Sequence, residues 1–203
     1  MRAVHIVQGG GLPLRRSDVD TDQIIPAEWL KRVERTGFEQ GLFATWRDDR
    51  DFVLNDERYA GAKVIVAGPA FGVGSSREHA VWAIQQSGFD AVIAPSFSDI
   101  FRNNCTKNGL VPVVLPEAVV ERIWAAIEAD PHVELVVDVE RRLVEVPAAG
   151  ITEPFPMDDA TRQRYLDGLD DVGLTMSHAA AIDAFEAQRP SWLDPVRTSL
   201  PAP

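Results

Sequence analysis

Cysteine is almost missing from this chain: Cys105 is the only one among 203 residues. A single thiol forms no internal disulfide and cannot supply the several thiolates of a structural zinc site or an iron–sulfur cluster. Positive charge is also scarce, with 20 Lys and Arg against 31 Asp and Glu, a formal net charge of −11. Nucleic-acid binders ordinarily carry the opposite surplus, because they neutralise phosphates. No stretch approaches the roughly 20 apolar residues that a bilayer-crossing helix needs. The opening MRAVHIVQGGGLPL is broken by glycines and a proline, unlike a secretory signal. The four histidines, His5, His79, His132 and His178, show no HxxxH or HExxH spacing, so no histidine metal site is expected. These absences lead to the expectation of a cytoplasmic chain with no metal ligands, no membrane span and no nucleic-acid surface.

What is present is ordinary for a folded domain: 45% hydrophobic and 25% charged residues. The middle of the chain alternates strand and helix patterns. Lys63 to Gly68 and Ala91 to Ala94 are short β-branched runs, as is Leu110 to Leu115. Helical stretches are expected at Arg77 to Ser87 and at Ser96 to Asn108, each closed by a glycine. Pro116 suits a first helical turn, and Val119, Ile123, Trp124 and Ile127 then share one face. This alternation predicts an α/β fold with at least part of its sheet parallel. From Val133 to Val146 the apolar period becomes two, the mark of a hairpin. Ser177 is expected to cap a helix bearing Ile182 and Phe185. One domain is expected over residues 1–188, followed by a proline-rich tail at 189–203.

The richest segment is Gly68 to Ala80, GPAFGVGSSREHA, between a predicted strand and a predicted helix. It is no Walker A loop, lacking Gly-Lys-Ser/Thr, and Arg77 replaces the third glycine of a dinucleotide fingerprint. Two readings stand side by side. Ser75 and Ser76 cap the helix, or they join Arg77 and the free helix amides in a receptor for a carboxylate or phosphate. His79, next to this turn, reads as structural. A second polar cluster, SDVDTDQIIP (Ser17 to Pro26), lacks the glycine and distal glutamate of an EF-hand and reads as a turn rich in Asx caps. Basic residues gather at Lys31, Arg32 and Arg35. Arg102 and Lys107 lie at a helix C-terminal end, where they offset the helix dipole.

Taken in order, these segments resemble the small subunits of 3-isopropylmalate dehydratase and, more broadly, the swivelling C-terminal domains of the aconitase superfamily. The resemblance rests on VDTDQIIPA (Val19 to Ala27), KRVERTGFEQGLF (Lys31 to Phe43), GSSREHA (Gly74 to Ala80), IAPSFSDIFRNN (Ile93 to Asn104), KNGLVPV (Lys107 to Val113) and GLTMSHAAAIDAFE (Gly173 to Glu186). It implies a three-layer β/β/α fold that covers nearly the whole chain except the tail. It also implies a 4Fe-4S cluster held by a separate large subunit, whose iron polarises the substrate hydroxyl, with this chain binding no cofactor. Under the resemblance Ser75 is the base at a C–H bond, Ser76 and Arg77 engage substrate carboxylates, and Asp22 lines the same site. The substrate is then a small dicarboxylate, dehydrated to 2-isopropylmaleate and rehydrated with the opposite regiochemistry. The Trp29 to Gly37 segment becomes a candidate substrate loop that includes Leu30, Lys31, Arg32 and Val33, with Leu30 and Val33 offering apolar contact to the side group.

The chain departs from the family at two points of the turn. Ala70 and Val73 stand where the family commonly has Asn and Cys. Three alternatives remain open on sequence alone. The partner enzyme can act on a related diacid such as homoaconitate, citraconate or dimethylmalate, since discrimination of one methylene is worth only ~1–3 kcal/mol. A non-catalytic anion- or RNA-binding module is the second, and a decayed paralogue that scaffolds a large subunit is the third. The net charge of −11 opposes RNA binding.

Overall fold

A computed structural model of the chain describes residues 1–32 and 34–190. Val33 of the expected substrate loop, and the tail from residue 191 onward, lie outside the described residues. In chain order the strands are β1 (Ile6–Gly9), β2 (Gly11–Leu14), β3 (Val64–Ala67), β4 (Ala91–Ala94), β5 (Val111–Val114), β6 (Leu135–Asp138), β7 (Leu143–Val146) and β8 (Ile151–Pro154). The helices are α1 (Thr21–Ile24), α2 (Ala44–Arg47), α3 (Glu78–Gln86), α4 (Asp99–Asn108), α5 (Glu117–Ala129), α6 (Asp159–Asp167), α7 (Asp171–Met176) and α8 (Ala179–Ala187).

The strands form two four-stranded sheets. One is parallel, in the order β2-β3-β4-β5, with Val64 opposite both Gly11 and Ala91. The other is antiparallel, in the order β1-β6-β7-β8, and contains the expected hairpin β6–β7. Every residue of β2, β3 and β4 is buried, as a parallel sheet covered on both faces requires. The crossovers β3-α3-β4 and β4-α4-β5 step the same way along the sheet, so right-handed connection sets α3 and α4 side by side on one face. Helix α5 packs across β2, β3 and β4, where Trp124 Nε1 donates to the Val66 carbonyl at 2.7 Å.

Gly11 lets the layers close. A Cβ there would stand 2.6 Å from Ile127 Cδ1 and 3.2 Å from Leu135 Cδ2, so α5 and the antiparallel sheet meet over β2. The buried alternation Leu135, Val137 and Val144, Val146 supplies the facing surface. The result is the three-layer β/β/α architecture expected from the sequence, with one continuous core running from Val4 to Tyr165.

Some boundaries differ from the sequence reading. Helix α4 starts at Asp99, capped by Ser98, and not at Ser96. Ser177 does not cap α8. It ends α7 and its hydroxyl donates to the Leu174 carbonyl at 2.6 Å, while α8 begins after His178 with no side-chain cap. Val172, Met176, Ile182 and Phe185 on α7 and α8 are exposed.

Candidate active site

Strand β3 runs at Gly68 into the glycine–serine turn, which returns to α3. What shapes the turn is the segment before α1. Gly72 N–H and Val73 N–H both donate to the Val19 carbonyl, at 2.7 and 3.2 Å, and Thr21 N–H donates to the Val73 carbonyl at 2.9 Å. Asp20 and Val73 form a parallel bridge. Gly72 is required twice over: its φ is +75°, and a Cβ would stand 2.3 Å from Phe101 Cγ. Ala70 also has a left-handed backbone, φ 59°, with its N–H held by Ser96 Oγ at 2.9 Å. Asn, the residue that the resemblance leads one to expect there, enters that region more readily than Ala.

The polar cluster at 17–26 divides its labour. Asp20 caps α1 in a full capping box: Asp20 Oδ1 accepts from Gln23 N–H at 2.8 Å, and Gln23 Oε1 accepts from Asp20 N–H at 2.9 Å. That is the Asx-cap role read from composition. The next residue but one does something else. Asp22 projects from the first turn of α1 to the Arg77 guanidinium, where Nη1 donates to Oδ1.

The cap reading of the two serines fails. Helix α3 begins at Glu78 behind an extended Arg77, and no side chain caps it. Ser75 and Ser76 are exposed, and neither hydroxyl is engaged among the described residues. The helix therefore presents open amides beside two free hydroxyls and a cation, the ingredients of an anion receptor. Arg77 is largely sunk into the protein, its side chain 14% exposed, while Asp22 is 55% exposed. The structure thus brings together Ser75, Ser76, Arg77 and Asp22 from two segments.

The candidate substrate loop is tied to the same helix. Gln86, in the last turn of α3, donates through Nε2 to the Arg35 carbonyl at 2.8 Å and accepts from Phe38 N–H at 2.9 Å. Arg32 is folded back onto its own loop, though it stays exposed. Its Nη1 donates to the Gly37 carbonyl at 2.7 Å and its guanidinium lies 5.0 Å from the Trp29 ring centre. Lys31 is exposed and forms no ion pair among the described residues, and Leu30 is half-buried. Lys107 pairs with Asp171 at 3.4 Å, so its charge is spent far along the chain.

His79 packs edge-on to Phe38 and Trp82, with ring centres 5.3 and 4.7 Å apart, the structural role read from the sequence. Burial pushes its imidazole below the ordinary range, opposed by Glu78 and reinforced by Arg77. Sequence reasoning missed Thr21, Gln86 and Asn108. Asn108 joins α4 to α3 by donating to Glu78 at 2.8 Å and accepting from Trp82 Nε1 at 2.9 Å. An amide or hydroxyl inside a helix carries no local mark of the partner it will meet.

An iron–sulfur cluster does not fit this chain's own donors. Cys105 is fully buried on α4, burial pushes its thiol well above the ordinary value, and no group of three or more metal-binding side chains forms among the described residues. No helix among the described residues is long and apolar enough to cross a membrane.

Comparison with known proteins places the chain. The sequence model of the aconitase C-terminal domain matches residues 1–118, and that of the C-terminal domain of the 3-isopropylmalate dehydratase small subunit matches 171–196. The 3-isopropylmalate dehydratase small subunits of Parafrankia sp. (strain EAN1pec) and Frankia alni are each 60% identical over 193 residues, covering 95% of this chain and 98% of theirs. That of Acidothermus cellulolyticus is 59% identical over 191 residues, covering 94% of this chain and 96% of its own. The crystal structure of 3-isopropylmalate dehydratase (leuD) from Methanocaldococcus jannaschii superposes with a TM-score of 0.65 at 27% identity, covering 89% of this chain and 99% of that one. With the fold, the turn and near-full-length identity in agreement, the chain belongs to the 3-isopropylmalate dehydratase small-subunit family of the aconitase superfamily.

Proposed function

We propose that this chain is the small subunit of a two-chain hydro-lyase that interconverts 2-isopropylmalate and 3-isopropylmalate in leucine biosynthesis, in the cytoplasm. The observation that carries the reading is the open turn: two unengaged serine hydroxyls and the Arg77–Asp22 pair at the uncapped start of α3. In this reading Ser75 Oγ takes the proton from the carbon next to a substrate carboxylate. A free serine hydroxyl is far too weakly acidic to be a base near neutrality. The Arg77 charge and the open amides of α3 lower the cost of its deprotonated oxygen.

Arg77 binds a carboxylate in the same stroke. Asp22 occupies only Nη1, which leaves Nε and Nη2 as a two-pronged edge for a substrate carboxylate. Asp22 thereby orients the guanidinium without consuming it, and Ser76 hydrogen-bonds a carboxylate oxygen alongside. As the C–H proton moves to Ser75, the electron pair forms the C=C bond of 2-isopropylmaleate and hydroxide leaves. Return of the proton and of hydroxide, together one water, to exchanged carbons gives the isomer, with no net redox change.

The hydroxide side of the reaction lies beyond this chain, whose one buried cysteine does not fit an iron–sulfur cluster. The reading therefore includes a large subunit that carries the 4Fe-4S cluster, faces this turn and completes the site. The experiment is anaerobic reassembly with that subunit, assayed against a panel of 2-hydroxy diacids. The isolated chain is expected to be inactive and free of iron, and the assembled pair to favour isopropylmalate. Turnover by the isolated chain would overturn the split site, and preference for another diacid would replace the substrate. Ser75→Ala is expected to abolish turnover with subunit association intact.

A further inference from the structure

Thr21 and Asp138 are the two buried polar or charged residues among those described, and Thr21 is 2% exposed. A hydroxyl withdrawn from water needs a partner, and Thr21 Oγ1 donates to the Ser75 carbonyl at 3.0 Å. Its own N–H donates to the Val73 carbonyl at 2.9 Å. Thr21 thus grips the turn at residues 73 and 75, and Gly74 between them takes a φ of +94° that a side chain would strain. Among the described residues Ser75 has no other hydrogen bond.

We infer that Thr21 is the positioning residue of Ser75, holding the peptide that follows the serine's Cα so that Cβ, from which the hydroxyl extends, keeps one place. The inference deepens the proposed function and rests on Ser75 being the base. The peptide plane is rigid, so anchoring the carbonyl oxygen restricts rotation about Cα–C and fixes where Cβ stands, which leaves Oγ only the staggered positions of χ1. The anchor itself is stiff. Thr21 is β-branched, with restricted χ1, and it sits in the first turn of α1 inside the Asp20–Gln23 capping box. Its neighbour Asp22 holds Arg77. Two consecutive residues of one short helix thereby set the base and the carboxylate receptor relative to each other, one through a buried hydroxyl and the other through an exposed charge.

The test uses the reassembled two-subunit enzyme. Thr21→Val keeps shape and removes the hydroxyl. It is expected to lower kcat by about 10- to 100-fold, the scale of a misplaced reacting group. KM, association with the large subunit and melting temperature should stay near wild type. Thr21→Ser is expected to restore most of the lost kcat. Where Thr21→Val does not assemble, Thr21→Ala takes its place with the same outcomes. A normal kcat in the hydroxyl-free variant overturns the inference, as does failure of Thr21→Ser to rescue, or a loss that follows association. Ser75→Ala separates the two ideas. If it is inactive while Thr21→Val is normal, Thr21 falls and the base stands. If it turns over normally, the base assignment falls, and any Thr21 effect has another origin.

Discussion

Asp22 pairs with Arg77 across 55 positions of sequence, joining the first turn of α1 to the residue before α3. The pair is asymmetric: the guanidinium is mostly covered and the carboxylate is mostly open to solvent. An exposed carboxylate in such a pair contributes little to folding, roughly 0–1 kcal/mol. Its value lies in aiming the cation. Asp22→Asn is therefore expected to leave the chemical-denaturation midpoint nearly unchanged. Arg77→Lys is expected to raise KM about tenfold or more with a smaller effect on kcat, since an ammonium cannot grip a carboxylate by two parallel bonds. Steady-state kinetics of the assembled enzyme check this; an equal fall in kcat at unchanged KM would move Arg77 out of substrate binding.

The turn is strained in one place and closely packed in another. Gly72→Ala is expected to destabilise the chain by about 2–4 kcal/mol, through its left-handed backbone and the clash with Phe101. Ala70→Asn should instead stabilise it by about 0.5–1 kcal/mol, because Asn tolerates the φ of 59° better. Urea titrations of the isolated chain measure both, and a neutral Gly72→Ala would mean that the turn moves away from Phe101.

His79 makes stability depend on pH. Burial lowers its folded value, so as pH falls through about 6.5 the unfolded chain binds the proton first. Stability is complete above that point and declines as pH drops towards the lower folded value. His79→Phe keeps a ring between Phe38 and Trp82 and removes the titration. The wild-type chain should lose more of its urea midpoint between pH 7.5 and 5.5 than His79→Phe does, and equal losses would contradict the assignment. The carboxylates held low, Glu128 by Arg15 and Asp158 by the Thr161 N–H, act in a separate window near pH 4 and below.

Cys105 is expected to be inert. Its thiol is buried, with burial pushing it well above the ordinary value, so a thiol reagent should label it only after denaturation. Cys105→Ala should cost about 1–2 kcal/mol from the small void and leave turnover and iron content of the assembled enzyme intact. Loss of iron in that variant would return the cysteine to the cluster.

Much of this molecule is legible residue by residue. The β-branched runs at 63–68, 91–94 and 110–115 become the parallel strands β3, β4 and β5, and the period-two stretch after Val133 becomes β6 and β7. Such patterns are local, because burial on a sheet or helix face repeats within a few residues. The Ser75–Ser76–Arg77 turn is legible for the same reason: a glycine-rich link between strand and helix is a contiguous signal. Caps are less legible. Ser177 fails as one because two short helices meet there, and the serines at 75–76 lie short of where α3 starts.

A chain with one cysteine, a net charge of −11 and this order of motifs already excludes a cluster of its own and fixes the family pattern. Tertiary structure alone decided which polar groups meet. It turned Arg32 back onto Gly37, spent Lys107 on Asp171, and left Arg77 to Asp22 and the Ser75 carbonyl to Thr21. Periodicity records which face of an element is buried. Pairing between residues 54 or 55 positions apart depends on how α1 and the turn lie against each other, and that is written only in the packed fold.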